Sequence, residues 1–134
     1  MSNETLRTAL TGLTVTGMGR VYDQHPETLE VADLPAMWPD GFGSEHDFQT
    51  YSGSMIRVVR TAELRLAVKP LGMSSNDERQ DARITIADAL ETALKADNLT
   101  GFNFQTLSIE SESVDVNGTA YAGLIASITV QEVN

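Results

Sequence analysis

The dipeptide Asn117-Gly118 constrains this chain more than any other pair of neighbours. Both residues tolerate positive φ, which a two-residue type I′ turn needs at its two central positions. With that turn in place Val116 faces Thr119, and every other cross-strand pair follows. Leu107 then faces Ile128, Ile109 faces Ala126 and Val114 faces Tyr121. Like meets like along both arms, so the register supports itself. The stretch from Gly101 to Asn134 gives arms of roughly 45 Å at ~3.3 Å per residue. Near the open end one face carries Leu107, Ile109, Leu124, Ala126, Ile128 and Val130. Near the tip Val114, Val116 and Tyr121 fall on the other face. One small core cannot cover both faces of arms this long, so the expectation is that a neighbouring subunit covers the tip.

The chain has 134 residues, enough for one domain over 1–134 with a real core. No apolar run approaches ~18 residues, so no membrane span is expected. Met1-Ser2-Asn3-Glu4-Thr5 lacks the basic and apolar regions of a signal peptide. Cysteine is absent, which removes disulfides, thiol nucleophiles and Cys-based zinc sites and suits a reducing cytosol. Nine Lys or Arg stand against nineteen Asp or Glu, a net charge of −10. That is the wrong sign for a domain that grips phosphates. An acidic surface instead keeps a protein soluble, or lets DNA slide past.

From the N-terminus, Ser2 to Thr16 reads as a helix. Ser2 or Asn3 caps it, and Leu6, Ala9, Leu10 and Leu13 form an apolar stripe that Gly17 and Gly19 end. Arg20 to Asp23 suits a short strand. Pro26, Pro35, Pro39 and Gly41 then argue against any long regular element up to Phe42. Trp38 lies in that extended connection, where it either packs on the body or meets a partner. From Phe48 to Leu71 the pattern is strand-like, with a turn or bulge at Ser52-Gly53. Arg57, Arg60 and Arg65 place a third of the cationic residues within nine positions of this acidic chain. They form either a solvated strand face paired with acidic neighbours or an interfacial stripe facing an acidic surface on the next subunit. A second helix runs from about Glu78 to Ala96, capped by Asn76 or Asp77 and ended by Asn98 and Gly101. Its buried face is Ile86, Ala87, Leu90, Ala93 and Leu94. Strands linked mostly by hairpins, with helices laid on one side, make an α+β fold.

Catalytic chemistry finds little support. Glu45-His46-Asp47 lacks the spacing of a metal-ligand set, and His25 stands in a loop. Gly17-Met18-Gly19 is a helix-ending pair rather than part of a nucleotide fingerprint, and Ser52-Gly53-Ser54 reads as a turn. Glu110, Glu112 and Asp115 lie beside a hairpin tip and not across a recognisable cleft. No enzyme activity, cofactor or metal is expected.

Several stretches carry a resemblance. They are Val21-Tyr22-Asp23-Gln24-His25-Pro26-Glu27-Thr28-Leu29, Ala32-Asp33-Leu34-Pro35-Ala36 and Arg60-Thr61-Ala62-Glu63-Leu64-Arg65-Leu66. An Ala- and Leu-rich helix and a final hairpin through Tyr121-Ala122-Gly123-Leu124 follow. With the N-terminal helix, this layout resembles the tail terminator (tail completion) proteins of long-tailed phages, the lambda-type family, over most of the chain. The resemblance implies a mixed, mostly antiparallel sheet with a long C-terminal β-hairpin, flanked by two helices. It also implies a homo-hexameric ring at the tail–neck junction of the virion, assembled in the host cytoplasm. Such a ring caps the tail tube protein, stops polymerisation and offers a docking surface to a neck or head-completion protein. DNA passes through its lumen without specific binding. No catalysis, cofactor or membrane is implied, and no functional residue carries over from the family.

On this reading, Val114, Val116 and Tyr121 at the hairpin tip and the Arg57, Arg60 and Arg65 stripe are the expected subunit interface. Packing on the body is the favoured reading of Trp38, with partner contact as the alternative. Another head–tail connector, a tail tube subunit or a small dimeric binding module outside phages fits the same residues.

Overall fold

The computed structural model describes residues 3–48, 55–96, 99 and 102–132, with the backbone alone at 47–48, 55–57, 73 and 104–105. In chain order come helix α1 (Asn3–Thr11), strand β1 (Arg20–Val21), strand β2 (Ala36–Phe48) and strand β3 (Met55–Pro70). Helix α2 (Asn76–Ala96) and strands β4 (Phe102–Val116) and β5 (Thr119–Glu132) complete the fold. Short 3₁₀ turns lie at Val31–Asp33 and Leu71–Met73. The strands form one sheet in the order β1-β2-β3-β5-β4, parallel only between β1 and β2. The fold is α+β, a mixed and mostly antiparallel sheet with a long C-terminal hairpin and two flanking helices.

The hairpin takes the register that its turn dictates. Asn117 and Gly118 have φ of 51° and 80°, and Val116 pairs with Thr119, Val114 with Tyr121, Ile109 with Ala126 and Leu107 with Ile128. The register holds back to Thr106 and Thr129, then shifts by one residue at a bulge between Phe104 and Thr106.

Strand β2 corrects the expectation that Pro39 and Gly41 exclude a long element. Its 13 residues run through both. The Tyr22 amide donates to the Met37 carbonyl, so the polar groups of Met37 point towards β1. Alternation turns Pro39, two residues on, to the same side, beyond the end of β1, where no strand among the described residues requires its missing N–H. Gly41, with φ of 67°, takes up a bulge where the pairing shifts from Asp40–Glu63 to Phe42–Ala62.

Helix α1 is shorter than expected and ends at Thr11. Gly12 and the β-branched run Thr14-Val15-Thr16 are poor helix formers. Leu13 and Val15 still reach the core from the loop that follows. Helix α2 starts earlier than expected. The Ser75 hydroxyl accepts from the Glu78 amide at 3.2 Å, so Ser75 caps the helix in place of Asn76 or Asp77. The proposed cap Ser2, the stops Asn98 and Gly101 and the turn at Ser52-Gly53 lie outside the described residues.

Both helices cover one face of the sheet. Leu6 and Leu10 of α1 and Ile86, Leu90 and Leu94 of α2 pack on Leu64, Leu66, Ala126, Ile128 and Val130. Burying each large side chain of this set is worth about 1.5–3 kcal/mol. No helix among the described residues is long and apolar enough to cross a membrane.

Candidate functional site

Adjacent residues on a strand point to opposite faces. Met37 and Leu66 belong to the helix-covered core, so their neighbours Trp38 and Ala67 face away from it. There they meet the hairpin tip. Val114, Val116 and Tyr121, at 3%, 1% and 5% exposure, pack with Ala36, Trp38 and Ala67 in a second core. Tyr22, Leu29 and Leu34 lie over this cluster, so the segment between β1 and β2 forms a strap across the tip. Its ends are tied down where the Gly19 and Arg20 amides donate to the Pro35 carbonyl and the Tyr22 amide donates to Met37. The Tyr121 hydroxyl also donates to the Leu29 carbonyl at 3.4 Å.

The strap overturns the expectation that a neighbouring subunit covers Val114, Val116 and Tyr121. The two-face pattern was real, but the second face is covered from within the chain. Trp38 is interior and fully buried, as expected for packing on the body, and is not a partner contact. Its indole Nε1 has no hydrogen-bond partner among the described residues.

The arginine stripe divides. Arg60 points under α1, where its Nε donates to Glu132 Oε1 at 2.7 Å and its guanidinium to Asn3 Oδ1 at 2.9 Å. The Arg60 and Glu132 side chains are 9% and 8% exposed, which takes Arg60 out of any subunit interface. Arg65 lies on the opposite face with 27% exposure. Its Nε is 2.6 Å from Asp40 on β2, with Glu63 on β3 and Glu112 on β4 at 3.9 and 3.8 Å. The acidic surface that Arg65 meets is therefore its own sheet and not the next subunit. Arg57 sits on β3 opposite Asp47, and its side chain lies outside the described part of the structure.

Among the described residues, two long strand edges are left unpaired. Strand β4 ends the sheet on one side, and β1 covers only Ala36 and Met37 of β2 on the other. Both edges are acidic, with exposed Glu110, Glu112 and Asp115 along β4 and exposed Glu45 on β2.

A polar hollow of about 770 Å³ lies beside the strap. Arg20 stacks over the Tyr22 ring at 4.8 Å and approaches Asp33 at 3.7 Å. Burial pushes the Tyr22 hydroxyl above its ordinary value. The Asp33 carboxylate, which accepts its hydrogen bond at 3.4 Å, adds to the rise, and Arg20 partly offsets it. Arg7, the other cation at the hollow, pairs with Glu4 at 2.7 Å. With its cations engaged and four carboxylates on its walls, the hollow repels anions.

A second, largely apolar cleft of about 610 Å³ separates α2 from the end of the strap. Val31, Leu34 and Pro35 form one wall. Val68 and Ile86 form a nearly buried floor, and Glu78, Asp81 and Ala82 of α2 form the other wall. Sequence reading missed this cleft. Its one signal is the spacing of Glu78, Asp81, Ala82 and Thr85, which places them on one helix face. The apolar wall opposite comes from a segment some fifty residues away (~50), which no local pattern connects to it.

Among the described residues no group of three or more His, Asp or Glu is arranged to hold a metal ion. No protein-family model matches this chain, and no curated protein matches it in sequence.

Proposed function

We propose that this chain is a structural virion subunit of the tail terminator type. It forms a homo-hexameric ring that caps the tail tube, stops tube polymerisation and presents a docking surface to the neck or head. The observation that carries the reading is the pair of open strand edges on opposite sides of one sheet. They differ from each other, as the two halves of a head-to-tail contact must if it is to close into a ring. The resemblance of the strap, the β3 segment and the final hairpin to tail terminators supports the same reading. The acidic charge fits a lumen that lets DNA pass without holding it. Two acidic edges also repel, which weakens the association of free copies at low salt.

The test is the solution mass of the purified chain across concentration and salt, with and without cognate tail tubes. A hexamer, or a monomer that becomes a ring only on tubes, is the expected result. Added salt should favour the ring by screening the edges. A stable dimer without affinity for tubes overturns the reading. Long open polymers would make the chain a tube subunit instead.

A further inference from the structure

The cleft between α2 and the strap has the size of a binding site, within the roughly 300–1,000 Å³ usual for such pockets. Its floor and one wall are apolar. Val31 on that wall is 59% exposed, although valine gains by burial. On the facing wall Glu78 and Asp81 lie one helical turn apart, both exposed, with no ion-pair partner among the described residues. Lys69 contributes one positive charge to the lining against these two carboxylates. The chain behind them carries a net charge of −10.

We infer that this cleft docks a segment of another protein in which one large apolar side chain is flanked by lysine or arginine. The apolar side chain fills the space over Val68 and Ile86, and the flanking cation reaches Glu78 and Asp81. Such a contact desolvates the apolar wall and gives both carboxylates a partner. An acidic segment would meet repulsion at the rim and in the wider field. A second copy of this chain is disfavoured on the same ground. The inference does not depend on the ring reading, since the cleft lining includes no residue of β2 or β4.

The experiment titrates ¹⁵N-labelled protein with an acetylated, amidated peptide holding one tryptophan among lysines and alanines. A matched peptide carries glutamate in place of lysine. The basic peptide should produce saturable shifts at the amides of Val68, Ala82 and Ile86, and the acidic one none at equal concentration. Combined Glu78→Gln and Asp81→Asn should weaken binding by about five-fold, as expected for two exposed charge contacts. Val31→Ser, at an exposed rim position that does not threaten the fold, should weaken it too. Equal shifts with both peptides, shifts confined to the acidic face of β4, or no saturable shift would each overturn the inference. None of these results bears on the mass measurement that tests the ring.

Discussion

The imidazole of His25 meets the indole of Trp38 edge to face, with ring centroids 5.4 Å apart and planes at 71°. A strap residue thus rests on the central side chain of the second core. Since Trp38 is the chain's single tryptophan, its fluorescence reports whether the strap is closed.

Val116→Asp should therefore damage the fold and not merely an interface. Placing a carboxylate at a fully buried site with no partner costs about 3 kcal/mol or more. Chemical denaturation should show that loss, together with a red shift of Trp38 emission under native conditions. Unchanged stability with reduced assembly would restore the tip as a subunit contact.

The interior pair of Arg60 and Glu132 makes a sharper contrast. Arg60→Met leaves Glu132 buried without its cation and should cost about 3–5 kcal/mol. Adding Glu132→Leu removes the stranded charge and should recover most of that loss. A double variant no more stable than the single one would show that Glu132 is not stranded by loss of Arg60.

Among the described glycines, Gly123 faces the tightest backbone approach. A Cβ there would overlap the Leu66 carbonyl oxygen and lie 2.8 Å from a methyl of Val114. Gly123→Ala should lower stability by more than ~2 kcal/mol through a forced shift of β5. Gly72→Ala meets nothing within 4 Å and should stay within ~0.5 kcal/mol of the parent chain.

Tyr22 gives a pH-dependent outcome. Its hydroxyl pKa is raised above the ordinary 10.0, so the folded chain holds the proton at a pH where the unfolded chain has released it. The resulting stability is fully present below pH 10.0 and is lost as the pH rises through the folded value. Phenolate absorbance should show a step above pH 10.0 that vanishes in Tyr22→Phe. In Asp33→Asn the step should move down, because the carboxylate opposes ionisation.

The hairpin was legible because its determinants are local. Asn117-Gly118 fixes the turn, the turn fixes the register, and the register sorts Val114, Val116 and Tyr121 from Leu124, Ala126 and Ile128. What covers the tip was not legible, since Leu29 and Tyr121 are 92 positions apart and no periodicity links them. Strand β2 was hidden for a different reason. Pro39 and Gly41 break strands in general, and only the pairing partner shows that one faces an open edge and the other sits at a bulge. Alternation along β3 already put Arg60 on the face of Leu64 and Leu66 and Arg65 on the other, so the two could not share one stripe. Only the buried partner Glu132, 72 positions on, was hidden.

The strap also sets an order of events during synthesis. Tyr22, Leu29 and Trp38 emerge from the ribosome well before their partners, with Tyr121 following 92 residues after Leu29. Until β5 is made, the indole and its neighbours have no hairpin tip to close on. Non-local closure of this kind is slow and leaves apolar surface open to wrong encounters. The second core thus stays open to aggregation until the hairpin tip has been made.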